Sequence, residues 1–236
     1  MSVLLIDAGN TRIKWRYTNQ NLTLQGACLH HEVAAQVWPS PIEQVVVASV
    51  RSNDALAQHL QQQFNVNIEW LREPYLHHSR FRHCYAQPQR LGVDRWLAML
   101  GAMERTQKAC VVVDAGTALT IDVVDSNGRH QGGYIVPGLA MAQAALFQQT
   151  ERVRPFEDEQ IQHHIALGCD TLACVSAGIR RQHLALLQSM AAEYPEHDWL
   201  ISGGDGEWLA SAMERDYYPD LVFEGMESLC VGSFSR

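Results

Sequence analysis

Val3–Tyr17 reads VLLIDAGNTRIKWRY, and Val111–Asp125 reads VVVDAGTALTIDVVD. Each stretch is an apolar run of strand length, an Asp-Ala-Gly turn with a threonine just beyond it, and a second apolar run. That pattern describes two antiparallel strands around a tight glycine turn. Asp7 and Asp114 stand 107 positions apart (114 minus 7), close to half of the 236 residues. A spacing so large points to a duplicated lobe, because solenoid repeats recur every roughly 20–50 residues. Two lobes leave a cleft between them, where ligand sites are common. The expected division is residues 1–106 and residues 107–236, one glycine hairpin in each.

Working outward, NLTLQGACLH adds a third strand to the first hairpin, and QVVVASV is a continuous β-branched run of the kind found in buried strands. Asn53-Asp54 is a candidate cap for the helical ALAQHLQQQF, and NVNIEWL is the next strand. The first third is expected to run β-β-β-α-β-α-β. Residues 72–90, rich in His, Arg, Tyr and Pro, form a long loop of the type that carries function. GVDRWLAMLGAMERT is a helix, after which the strand-turn-strand pattern restarts at Ala109. Asn127-Gly128 is a type I′ hairpin signal between TIDVVDS and RHQGGYIV. A helix after Pro137-Gly138, a second from about Gln160 to Met190, the strand DWLISGG and a terminal helix from Glu224 complete the reading.

Composition narrows the function classes. With 47% hydrophobic residues the chain can bury one large core or two modest ones. A formal charge of -8 opposes binding to nucleic acid or anionic lipid, both of which need a basic face. Small anions remain candidates where local donors bind them. The stretch MSVLLIDAGN is neither a signal peptide nor a membrane span, so a cytoplasmic location is expected. Six scattered cysteines with no C-x-x-C pair are expected as free thiols, mostly buried.

The two turns have a chemistry of their own. Glycine at a hairpin tip lets backbone N–H groups approach an anion closely, and the hydroxyls of Thr11 and Thr117 add donors. An aspartate at the strand end can hold Mg²⁺, which keeps several waters and uses few carboxylates. Two such turns facing one another would clamp a polyphosphate. Either turn alone is also an ordinary hairpin; their occurrence together in matched strand contexts favours the phosphate reading. Neither G-x-x-x-x-G-K-[ST] nor a strand-to-helix G-x-G-x-x-G occurs, so phosphate binding must use the hairpin device.

The duplicated hairpins resemble those of the acetate and sugar kinase, Hsp70 and actin superfamily. In chain order, LIDAGNTRIKW, LGVDRW, VVVDAGTALTIDVVD, GGYIVPG, DTLACVSAG and LISGGDG more closely resemble the type III pantothenate kinases, over Leu5 to Gly206. Ser202 stands where the family's third phosphate motif usually has Thr, and the family's long C-terminal region is short. The resemblance implies an α/β fold of two ribonuclease-H-like lobes of the actin/Hsp70/sugar kinase type. It also implies transfer of the γ-phosphoryl group of ATP to pantothenate, the first step toward coenzyme A, by a homodimer requiring K⁺ or NH₄⁺.

Phosphoryl transfer rests on positioning and charge neutralisation. Asp7 is the candidate Mg²⁺ ligand, with Gly9, Asn10, Thr11 and Lys14 on the phosphates. Asp114, Gly116 and Thr117 would face the other phosphates, and Ser202, Gly203 and Gly204 would meet the nucleotide. Asp94 matches the family's general base, at the first turn of a helix whose dipole favours negative charge; a simple helix-capping role is the alternative. Arg95 suits the pantothenate carboxylate as a bidentate partner. Tyr85, Gly92, Val93 and, from a second subunit, Thr171 match substrate-contacting positions, and Asp122 matches the monovalent-cation site unless it pairs with a hydroxyl inside the strand. His30-His31, His77-His78 and His163-His164 read as surface or loop residues, because adjacent side chains diverge. The six tryptophans read as core. A non-catalytic nucleotide-binding accessory protein is the alternative function, and phosphate hydrolysis a third; the acid in LGVDRW and the organic-acid-suited Arg95 favour the kinase.

Overall fold

The computed structural model describes residues 2–51, 54–72, 74, 80–157, 159 and 164–232. Its first sheet contains β1 (Val3–Ala8), β2 (Arg12–Thr18), β3 (Thr23–Leu29), β4 (Gln44–Ser49) and β5 (Ile68–Leu71) in the order β3-β2-β1-β4-β5. The first three strands are antiparallel neighbours, whereas β4 is parallel to β1 and β5 to β4. Composition follows position in the sheet. Val45 to Ser49 of β4 are all buried, as a strand covered on both faces must be, while the edge strand β3 carries TLQGACL and is largely exposed. Helix α1 (Asp54–Gln63) links β4 to β5 and turns Leu56 and Leu60, one turn apart, into the core.

The second sheet contains β6 (Cys110–Ala115), β7 (Ala118–Val124), β8 (His130–Pro137) and β9 (Asp198–Ser202) in the order β8-β7-β6-β9. Here β6 is antiparallel to β7 and parallel to β9, as β1 is to β2 and β4. The fifth place is held by a single parallel bridge between Ile201 and Tyr217, where Tyr218 N–H donates to the Ile201 carbonyl at 2.7 Å. The chain thus makes the same ribonuclease-H-like order twice. The pleat repeats with it: Leu4, Ile6 and Ala8 enter one core, and Val111, Val113 and Ala115, each 107 positions later, enter the other.

Further helices are α2 (Val93–Arg105), α3 (Leu139–Gln149), α4 (Thr171–Glu193), α5 (Gly206–Ala212) and α6 (Leu221–Gly232). The chain forms two compact units, one of Met1–Gln107, Asn127–Gln131 and Asp220–Arg236, the other of Lys108–Ser126 and Gly132–Pro219. These units interleave along the chain, unlike the two contiguous halves expected. The difference arises because α6 packs on α2. A Cβ on Gly101 would lie 2.0 Å from the Leu221 carbonyl oxygen, and one on Gly225 would lie 2.0 Å from that of Leu97. The two backbones touch at a pair of glycines. Arg105 Nε donates to Glu224 Oε2 at 2.8 Å and its Nη2 to Oε1, while the buried Arg16 of β2 reaches Asp220 at 2.6 Å and Glu227 at 3.1 Å.

Several expectations are corrected. The first expected helix is a 3-10 turn, His30–Ala35. Among the described residues Asn127 does not take positive φ, whereas Gly128 does at 76°, so the turn before β8 is not type I′. Its tip is instead engaged by Arg82, whose N–H donates to the Gly128 carbonyl at 3.0 Å. Helix α4 begins at Thr171, not near residue 160, because Asp170 caps it by accepting from Ala173 N–H at 2.6 Å. Helix α5 was not anticipated, and α6 starts three residues before Glu224. Among the cysteines only Cys110 is buried; Cys84, Cys169 and Cys174 are exposed, lying in irregular segments or on the outer face of α4. The proposed Asn53 cap, His77-His78 and His163 lie outside the described residues.

Candidate active site

In the first unit Asp7 closes β1 and pairs in register with Lys14 of β2 on one side and Ala48 of β4 on the other. Cross-strand partners project from the same face, so Asp7 and Lys14 lie on one face of the sheet. Gly9 N–H donates to the Arg12 carbonyl at 3.1 Å and closes the turn, leaving Asn10 and Thr11 exposed at its tip. His30 Nε2 lies 2.8 Å from the Gly9 carbonyl oxygen. That histidine, read from the sequence as a surface or loop residue, is half-buried and holds the peptide at the centre of the glycine turn.

The second turn is one residue shorter. Ala8 pairs with Ile13, but Ala115 pairs with Leu119, and Gly116 N–H donates to the Ala118 carbonyl at 2.9 Å. Asp114 is flanked in register by Thr120 of β7 and Ser202 of β9. The glycine turn after β9 closes onto it. Gly203 has φ 92°, and a Cβ there would sit 2.4 Å from Asp114 Oδ1 and from the Ala115 carbonyl oxygen. Asp205 N–H donates to the Ala115 carbonyl at 2.8 Å, and Tyr217 Oη donates to the Gly203 carbonyl at 2.9 Å. Gly138, the cap of α3, donates to the Thr117 carbonyl at 3.0 Å, and a Cβ on it would lie 2.2 Å from the Gly116 carbonyl oxygen. Asp114, Gly116, Thr117, Ser202, Gly203 and Gly204 therefore form one neighbourhood, to which the structure adds Gly138, Asp205 and Tyr217. GGYIVPG already contained Gly138, whereas no local pattern marks Tyr217.

The acid of LGVDRW lies in the first unit. Gly92 caps α2 and Val93, buried, opens it; Asp94 is half-buried in the first turn, its Oδ1 accepting from Arg95 N–H at 2.8 Å. A Cβ on Gly92 would stand 2.6 Å from that oxygen. Glycine thus makes room for the carboxylate. Arg95 is 6% exposed, and its Nη1 donates to Tyr85 Oη at 2.8 Å while the guanidinium carbon lies 5.8 Å from the Tyr85 ring centre. The Arg95–Tyr85 hydrogen bond thus joins the irregular segment to the first turn of α2, where Asp94 is the preceding residue.

Asp122 points from β7 into a closed environment, 1% exposed. Beside it Gly133 of β8 packs tightly: a Cβ there would lie 2.8 Å from Asp122 Oδ1 and 2.0 Å from the Ile121 carbonyl oxygen, so only glycine lets the two strands approach this closely. Among the described residues no group of three or more His, Cys, Asp and Glu could hold a metal. A Mg²⁺ held through water and one carboxylate such as Asp7 is compatible with this donor set. Thr171 opens α4 in the second unit, where Glu159 accepts from the N–H groups of Thr171 at 3.3 Å and Leu172 at 3.0 Å. Among the described residues no helix is long and apolar enough to cross a membrane.

Comparison with known proteins gives consistent relatives. The family model described as type III pantothenate kinase matches residues 3–193. The type III pantothenate kinase of Alcanivorax borkumensis is 34% identical over 247 residues, covering 95% of this chain and 97% of its own. That of Pseudomonas putida strain F1 is 33% identical over 247 residues, covering 97% and 98%. Among solved structures, a conserved Campylobacter jejuni protein assigned to the Baf family of transcriptional activators has TM-score 0.66 at 25% identity, over 98% of both chains. A Sinorhizobium meliloti protein described as a 2-dehydro-3-deoxygalactonokinase has TM-score 0.60 at 10% identity, over 99% and 100%, a likeness of fold alone.

Proposed function

The chain belongs to the type III pantothenate kinase family, and from that premise we propose how its residues perform ATP-dependent phosphorylation of pantothenate, the first step of coenzyme A biosynthesis. The observation that carries the residue assignment is the neighbourhood of Asp94: a carboxylate given room by Gly92, next to an arginine held by Tyr85. Arg95 pairs with the pantothenate carboxylate and Tyr85 lines its path. Gly92 and Val93 shape the start of α2 so that Asp94 faces the primary hydroxyl. As the hydroxyl oxygen attacks the γ-phosphorus, Asp94 accepts its proton and the bond to the β,γ-bridging oxygen breaks, releasing ADP.

On the nucleotide side, the Gly9, Asn10 and Thr11 turn and Lys14 donate to phosphate oxygens, as do Gly116 and Thr117 beside Asp114. Ser202, Gly203 and Gly204 meet the nucleotide. Asp7 would hold Mg²⁺, which when bound neutralises phosphate charge. Asp122, a buried carboxylate on β7, would hold K⁺ or NH₄⁺.

A homodimer is part of this reading. Eight of the eleven residues of α3 are apolar, yet none is buried. Ile135 is 60% exposed, Phe156 70% and Leu167 97%. Apolar surface of this extent, on the same unit as Thr171, fits a second copy that brings Thr171 to the substrate.

The test is ADP release with ATP, Mg²⁺ and pantothenate, with K⁺, NH₄⁺ or Na⁺ as the sole monovalent cation. Pantothenate-dependent ADP that rises with K⁺ or NH₄⁺ is expected, and Asp94→Asn is expected to abolish it while ATP binding persists. ADP without pantothenate would indicate hydrolysis. ATP binding with no turnover in the native protein would indicate an accessory role.

A further inference from the structure

Tyr85 sits in an irregular segment between the bridge residue Arg82 and Pro88. What stands behind it is His130, the first residue of β8 and 0% exposed. The two rings are nearly parallel, 12° apart with centres separated by 6.1 Å, within the range of offset aromatic pairs. His130 is itself anchored twice. Its N–H donates to the Arg82 carbonyl at 2.8 Å, and Cys84 Sγ lies 3.5 Å from its Nδ1. The hairpin tip that carries it is locked by Gly128, where a Cβ would lie 1.8 Å from the Arg80 carbonyl oxygen. On its far side Tyr85 accepts from Arg95.

We propose that His130 is a positioning residue for pantothenate: its buried ring fixes the plane of Tyr85 and, through the Tyr85 hydroxyl, the guanidinium of Arg95. This inference rests on the kinase reading above and adds to it a residue remote from the reacting atoms. The physical gain is pre-organisation. A tyrosine on an irregular segment samples several rotamers and must be ordered when substrate binds; one already backed by a buried ring has little freedom left to lose. The ATP side, which Tyr85 does not touch in this scheme, is unaffected. A plain core-filling histidine would affect both substrates alike.

The experiment compares steady-state constants for the native enzyme, His130→Leu, His130→Phe, Tyr85→Leu and the His130→Leu/Tyr85→Leu double variant. His130→Leu is expected to raise KM for pantothenate about fivefold, the scale of one lost aromatic pair, while KM for ATP stays within about twofold. His130→Phe, which keeps a flat ring, is expected to restore most of the loss. The double variant is expected to equal Tyr85→Leu alone, because the effect passes through that residue. Parallel rises in both KM values, a Phe variant no better than Leu, or additive losses would each overturn the assignment. If His130→Leu does not fold, His130→Gln against His130→Phe makes the same comparison. Native enzyme without pantothenate-dependent turnover overturns the kinase reading and this one together, whereas a fully active enzyme indifferent to His130 overturns only this one.

Discussion

Gly92 is the residue on which Asp94 depends. A methyl group there would press on Asp94 Oδ1 from 2.6 Å, well inside contact distance, and the carboxylate would have to swing away. Displacement of a catalytic group by about 1 Å can cost about a hundredfold in rate. Gly92→Ala is therefore expected to lower kcat by about that factor with ATP affinity unchanged, read by ADP release and nucleotide titration. Asp94, Arg95 and the turn residues could be singled out as candidates from the sequence because each set falls within a short run of consecutive positions. His30, which grips the Gly9 carbonyl from 21 positions away, and Tyr217, which grips Gly203 from 14 positions away, were not. Their roles exist only after strands pair, and the residues next to them carry no hint of it.

Between elements, the corner from β8 into α3 is tied to α4 by His183, whose Nε2 lies 3.0 Å from the Pro137 carbonyl oxygen. Burial depresses the basicity of His183 below its usual 6.5, with Arg180 adding to the effect and the Pro137 carbonyl and Asp205 opposing it. The neutral ring is thus favoured in the fold. Below pH 6.5 the unfolded chain takes up a proton that the native chain resists, so this contribution is complete above that pH and falls as the solution is acidified. Thermal midpoints from pH 7.5 to 5.5 are expected to decline less in His183→Gln than in the native protein. The crossing of α2 and α6 makes a different demand. Any side chain at Gly101 collides with backbone, which cannot rotate away, so Gly101→Ala is expected to cost about 3 kcal/mol in chemical denaturation. Periodicity revealed both helices but not their partnership. Strand types were read well from β-branched runs, while the start of α4 was placed too early because apolar residues ahead of the Asp170 cap, such as Ile165 and Leu167, extended the helical pattern.

At the scale of the whole molecule, the duplication was legible because β1 and β6 and the hairpins they open repeat their pattern at one fixed offset. The interleaving of the units was not, since it depends on where the last helix docks. The unburied apolar helix α3 bears on assembly: Leu146→Asp, at a residue already 40% exposed, is expected to halve the mass seen by light scattering and leave the fold intact by circular dichroism. Activity should fall with it if Thr171 completes a neighbouring site.

The glycine pair at the α2–α6 crossing also sets a schedule. Synthesis runs from the N-terminus, and a domain generally folds as a unit once its chain has emerged. Here the helix bearing Asp94 is made early, but the backbone that fits against Gly101 arrives more than a hundred residues later, with Leu221 to Gly225. Until then the first sheet is a nascent body with one wall missing. The second unit, bounded by Lys108 and Pro219, is translated in the interval. Asp94, the proposed general base, thus leaves the ribosome more than a hundred residues before the backbone that secures its helix.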